Sequence, residues 1–181
     1  MTSPSDAALV RDIELALAAG FNGARLHQKV FEERFYYHAD RLGYLVWGEF
    51  GDWGVSGLGP DGDHQQPTAS FLTQWLEVLE RDRNHPSIVG WCPLNETHQV
   101  ITDHITQLDD VTHGMYLATK LADPTRPVLD ASGYSHRVPG ADVYDSHDYE
   151  QDPQRFRRQQ AGLAEGAPFT NTADGRPISV A

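Results

Sequence analysis

Ile88-Val89-Gly90-Trp91-Cys92-Pro93-Leu94 is an apolar run that starts after the turn Arg83-Asn84-His85-Pro86-Ser87 and stops on the polar pair Asn95-Glu96. The proline at its foot forbids a helix from continuing into it, so the run reads as a buried strand that delivers a carboxylate to its C-terminal tip. The preceding segment places Phe71, Leu72, Trp75, Leu76 and Leu79 at helical spacing. The following one repeats Ile101, Ile105, Leu108, Val111 and Met115 every three or four residues, the apolar stripe of a helix running to about Leu121. A strand between two amphipathic helices is the unit of a parallel sheet, because the return path of each strand must be covered by a helix.

The unit recurs. Ser5 or Asp6 caps a helix bearing Leu9, Val10, Ile13 and Leu17, which Gly20 ends, and Phe21–His27 follows as a strand and its tip. A helix from about Phe31 to Leu42 is stopped by Gly43, and Tyr44-Leu45-Val46-Trp47-Gly48-Glu49 is an apolar run ending on an acid. Val128–Asp130 and Ala141–Asp148 are short strands with polar tips, Gln154–Leu163 is a weaker helix, and Ile178–Ala181 begins a last strand. Six strands are thus expected, ending near Arg25, Glu49, Glu96, Asp130, His147 and the C-terminus. The expected fold class is α/β, a partial TIM (β/α)8 barrel with about six of eight strands, since a complete barrel needs ~250 residues and this chain has 181. Residues 50–67, rich in Gly, Pro and Asp, form a long loop of the kind that shapes a cleft on such a barrel.

A net charge of −12 repels polyanions, so neither nucleic acid nor an anionic membrane is an expected partner. Neither a membrane-spanning segment nor a signal peptide is visible. The single cysteine, Cys92, lies inside the apolar run and reads as a small buried hydrophobe.

Polar residues recur at the same end of the strands, the layout of a barrel active site. Glu49 and Glu96 are the candidate acid–base groups, because a carboxylate after an apolar run is desolvated on one side and suited to donate a proton near neutrality. The alternative for Glu49 is a structural carboxylate paired with an arginine. Asn95 is placed to hold a sugar hydroxyl beside Glu96. Arg25 and His27, two apart, share a face of their tip; they orient a substrate or merely tie the tip to its loop. His147, Asp148 and Tyr149 form a similar polar knot. Trp47, Trp53 and Trp91 are candidates for stacking on a sugar face, whereas Trp75 belongs to a core stripe. His27, His136 and His147 with Asp130 or Asp148 are the alternative set, a metal site, although no pair has compact ligand spacing.

Three segments in order carry a family resemblance. Asp12-Ile13 with Gly20-Phe21-Asn22-Gly23-Ala24-Arg25-Leu26-His27, then Phe35 with Ala39-Asp40-Arg41-Leu42-Gly43-Tyr44-Leu45-Val46-Trp47-Gly48-Glu49, then Arg83–Ile88 with Trp91 and Asn95-Glu96, resemble the catalytic barrel of glycoside hydrolase family 2. Asp123–Pro127 and His147–Pro153 resemble its β-galactosidase-like branch. The resemblance implies a retaining exo-β-glycosidase, β-galactosidase- or β-glucuronidase-like, acting on a β-linked glycoside without a cofactor. It implies Glu96 as acid/base and Asn95 on the 2-hydroxyl, with Arg25, His27, Trp47, Glu49, Asp130 and His147 around the sugar; Tyr149, beside them in the polar knot, is a substrate-binding candidate whose hydroxyl holds a neighbouring carboxylate or is merely packed. It further implies that residues 1–181 form one partial barrel domain lacking its first and last strands. The nucleophilic glutamate is then expected just after Ala181, and the chain alone is expected to be inactive.

Overall fold

The computed structural model describes residues 3–52, 69–96, 107–133, 136, 138–145, 147–165, 169–170 and 177–178. Its centre is a parallel sheet of three strands in the order β1 (Gly23–Arg25), β2 (Leu45–Glu49) and β3 (Ile88–Cys92). Helix α1 (Asp6–Ala18) precedes β1, α2 (Glu33–Leu42) joins β1 to β2, α3 (Ala69–Asp82) precedes β3, and α4 (Gln107–Ala122) follows it. The expected caps are present. The Ser5 side chain accepts from the Ala8 N–H, and Gly43 closes α2 in the left-handed conformation.

The sheet goes on past β3, but not as regular strands. Parallel bridges link Trp91 to Val128, Asn95 to Ser132, and Leu129 to Val143. Among the described residues, the expectation of six parallel strands is therefore corrected to three, followed by isolated bridges. The segment around Ile178 is a second correction: β5 (Pro177–Ile178) pairs antiparallel with β4 (Phe169–Thr170) in a separate small sheet. Two-residue strands carry too little apolar pattern to declare their partner. The expected weak helix is present as α5 (Pro153–Gln160), capped by Asp152 and continued by a 3-10 turn, Ala161–Glu165. The loop at 53–68, the segment 101–106 and Trp53 lie outside the described residues.

The core lies between the sheet and the helices. Ile13, Tyr36, Trp75, Leu79 and Met115 pack over Val46, Ile88 and Trp91. Strand parity decides which tryptophan goes where. Trp47 pairs in register with Gly90, and Glu49 with Cys92, so those four share one face. Trp91 therefore faces the helices. It is fully buried, meets Trp75 edge-on at 5.7 Å, and donates its Nε1–H to Asp123 at 2.8 Å. That overturns its expected role as a stacking surface. Trp75 is core, as its spacing predicts, with Nε1 donating to Thr119 at 2.7 Å.

The Arg83–Ser87 motif is a latch rather than a site. Asp40 of α2 accepts from the Ser87 N–H at 2.9 Å and pairs with His85 at 2.7 Å. Arg126 donates to the carbonyls of Arg83, His85 and Ile88, and to Asp123. Burial opposes the Asp123 charge, but bonds from Thr125, Trp91 and Arg126 outweigh it and hold that carboxyl well below the usual range. The foot of β3 is thereby fixed, and so is the position of its tip. Among the described residues no helix is long and apolar enough to cross a membrane.

Candidate active site

Because the three strands are parallel, their C-terminal tips share one edge, and Arg25, Glu49 and Asn95 meet there. The Arg25 Nη1 group donates to Glu49 Oε2 at 2.7 Å and to Asn95 Oδ1 at 3.0 Å, while Nη2 lies 2.7 Å from His27 Nδ1. The second Glu49 oxygen accepts the Gln28 N–H at 2.6 Å. Gln28 has φ 59°, a left-handed conformation that a non-glycine residue adopts only when held there. Glu49 thus sets the guanidinium and also turns the chain after β1, which aims His27 at the rim.

Burial pushes Glu49 up to about 7, against the pull of the Arg25 charge and the Gln28 N–H. Arg25 is itself opposed by burial, yet Glu49 raises it above its ordinary value. The two shifts pull on one pair in opposite senses. Two short donors on separate oxygens favour the ion pair, with Glu49 the member that takes a proton as pH falls. Cys92 sits beneath the pair, fully buried. Burial pushes its thiol well up, which leaves no thiolate for nucleophilic work.

Glu96 stands one residue beyond this cluster. It too is left-handed, at φ 49°, so Asn95 turns inward to Arg25 while Glu96 turns toward residues 132–149. Its N–H donates to the Ser132 carbonyl at 2.8 Å, and its Oε1 meets His147 Nδ1 at 2.5 Å and the Tyr149 hydroxyl at 3.2 Å. The other ring nitrogen, His147 Nε2, is 3.0 Å from Ser132 Oγ. An open cleft of about 390 Å³ is lined by Arg25, His27, His147, Asp148 and Tyr149. Burial and the Arg25 charge lower the proton affinity of His27, with Glu96 acting the other way and His147 in the same sense.

Two expected residues are placed differently. Asp130 is wholly buried, its oxygens taken by His136 Nδ1 at 2.6 Å and the Val138 N–H at 3.0 Å. His136 reaches on to the Asp145 carbonyl at 2.6 Å, so these residues brace the wall from behind. Trp47 is half-buried one register step below Glu49, its ring over Gly90, where any Cβ would meet it at 2.6 Å. Among the described residues no group of three or more His, Cys, Asp or Glu side chains is arranged to hold a metal ion.

Sequence reasoning missed several contributors. Asp52, fully buried, accepts the Asn95 N–H at 3.0 Å. Ser132, Gly133 and Asp145 stand behind His147. The signal available for them was weak, namely a Ser-Gly step after a strand and an acid two residues before a histidine.

The model of the glycosyl hydrolases family 2 TIM barrel domain matches residues 4–161, which take in every residue of this cluster. The chain belongs to glycosyl hydrolase family 2. A β-galactosidase of Vibrio cholerae is 33% identical over 133 residues, covering 71% of this chain and 12% of that protein. A β-glucuronidase of Bacteroides fragilis is 30% identical over 125 residues, 67% of this chain and 17% of its own length. The chain thus spans less than a fifth of these family 2 relatives. Among solved structures, β-glucuronidase 3 of Bacteroides uniformis superposes with a TM-score of 0.67 at 22% identity, over 90% of this chain and 20% of that one, which speaks for the fold alone.

Proposed function

We propose that the chain carries the acid/base half of the active site of a retaining exo-β-glycosidase acting on a β-linked galactoside or glucuronide. The observation that carries this is Glu96, next to Asn95 and turned by a left-handed backbone toward His147 and Tyr149, two residues that line the cleft. In the reaction Glu96 gives its proton to the glycosidic oxygen as the C–O bond breaks, and later takes one from the attacking water. Asn95, fixed by Arg25 and Asp52, holds a ring hydroxyl, and Arg25 and His27 line the sugar's side of the cleft. Retention needs a second carboxylate as nucleophile. Glu49 does not fill that role, because both of its oxygens are engaged by Arg25 and Gln28.

The test is Glu96→Gln in the native gene product, assayed on aryl β-glycosides. Phenyl glycosides, with poor leaving groups, lose about 10²–10⁴-fold in kcat/KM, the usual contribution of general acid catalysis. Dinitrophenyl glycosides lose far less, and azide restores their turnover by giving a β-glycosyl azide. Equal loss on both, with no azide adduct, removes Glu96 from the acid role.

A further inference from the structure

We infer that Ser132 and Asp145 are positioning residues which fix the direction of the hydrogen bonds through His147, so that its imidazole holds Glu96 in the form able to donate a proton. The inference rests on the glycosidase reading of Glu96 and adds residues that the reading does not use.

The direction follows from the donor inventory. The Asp145 carboxylate only accepts, and both of its oxygens are engaged. Oδ1 takes the Gly133 N–H at 2.8 Å and Oδ2 takes the Ser132 hydroxyl at 2.7 Å. The Ser132 hydroxyl has one proton and gives it to Asp145, so toward His147 its oxygen accepts. His147 Nε2, 3.0 Å away, therefore carries the hydrogen in the neutral ring. Nδ1 is then a lone pair, and it lies 2.5 Å from Glu96 Oε1. A lone pair and a carboxylate oxygen repel; a lone pair and a carboxylic O–H attract. The chain Asp145–Ser132–His147 thus places a proton between Nδ1 and Oε1, the proton that Glu96 has to give.

A second observation places the same segment against Glu96. Gly133 has φ +111°, and a Cβ there would lie 3.2 Å from Glu96 Cγ and 3.3 Å from His147 Cε1. Ser132 accepts the Glu96 N–H through its carbonyl and gives its own N–H to Leu94 O at 2.9 Å. The hydroxyl that orients the imidazole and the backbone that carries the acid are therefore joined, and they move together. Among the described residues, the other titratable or charged groups about the pair are Tyr149, which donates to the same Oε1, Asp148 next to His147, and His27 and Arg25 on the same cleft, with His136 behind Asp145.

Asp145→Asn gives the sharpest test, because an amide can present an N–H to the Ser132 oxygen. The hydroxyl then donates to His147 Nε2, the tautomer reverses, and Nδ1–H donates to the ionised Glu96. In the native gene product, Asp145→Asn and Ser132→Ala are each expected to lower kcat/KM on phenyl β-glycosides by about ten- to a hundredfold, a share of the general-acid contribution. On dinitrophenyl glycosides the loss should stay below about threefold. The alkaline limb of the phenyl-glycoside profile should move to lower pH, and Ser132→Thr, which keeps the hydroxyl, should restore both rate and limb. Equal losses on the two leaving groups, or an unmoved alkaline limb in Asp145→Asn, overturns the inference. Should Ser132→Ala not fold, Asp145→Asn and Ser132→Thr decide it alone. If Glu96→Gln behaves as expected while these variants do not, only the relay falls. If no aryl β-glycoside is turned over, the glycosidase reading falls and the relay with it.

Discussion

The cleft has two walls built by different means. Arg25, Glu49 and Asn95 stand on or just past successive parallel strands, are tied by charge-assisted bonds, and bury an ion pair above the packed sheet. Glu96, His147 and Tyr149 lie outside the regular strands and are joined by side-chain hydrogen bonds; side-chain exposure is 27% at Glu96 and 15% at His147, against none at Glu49. Strand register fixes the first wall before any side chain is chosen. The second wall depends on a chain of side-chain hydrogen bonds.

The largest test of this contrast is Arg25→Met. It strands Glu49 without its counter-charge, and breaking a buried pair in this way costs about 3–5 kcal/mol of stability. Chemical denaturation of the native gene product checks it; a loss below about 1 kcal/mol, as for exposed pairs, would make the two walls alike.

The next test is the pH dependence of stability. Burial lifts Glu49 to about 7 in the folded protein, above its value of 4.5 in the open chain. The folded state therefore binds the extra proton between these values. Stability from this group is complete below pH 4.5 and is lost as pH rises to about 7, on the order of 3 kcal/mol in all. Glu49→Gln should flatten that part of the stability-against-pH curve. A mutant curve of unchanged slope would assign the titration elsewhere.

The smallest expected effect is at the other wall. Tyr149 is largely exposed, and its bond to Glu96 is 3.2 Å long. Tyr149→Phe should leave stability unchanged and reduce kcat/KM by no more than about fivefold, the worth of one ordinary hydrogen bond at ~1 kcal/mol. A loss near that of Glu96→Gln would show that the exposed wall tolerates change no better than the buried one.

The first wall was largely legible in the sequence. Glu49 ends an apolar run and Arg25 a short strand segment, each after a glycine-stopped helix, and parallel strands necessarily bring such tips together. The place of Trp91 was encoded too: if Cys92 pairs with the Glu49 position, parity sends Trp91 to the helices. The second wall was not legible. Val128, Leu129 and Val143 make single bridges, too few to show a period, so Asp130 looked like a strand tip although His136 folds back to bury it. Ser132 and Asp145 matter through contacts 13 residues apart in the chain, which no local pattern encodes. The reversal at Phe169–Ile178 was hidden for the same reason: two residues of strand do not specify a direction.

The positive φ at Glu96 has a further consequence for how such a protein can change. An L-residue in that conformation carries a strain of about 1–2 kcal/mol that glycine does not feel. Selection for heat resistance alone would pull this position toward glycine and discard the acid without disturbing the scaffold. On the proposed acid role, the glutamate persists only where turnover is itself selected, so a chain of this fold that has lost that role is expected to betray it first at residue 96.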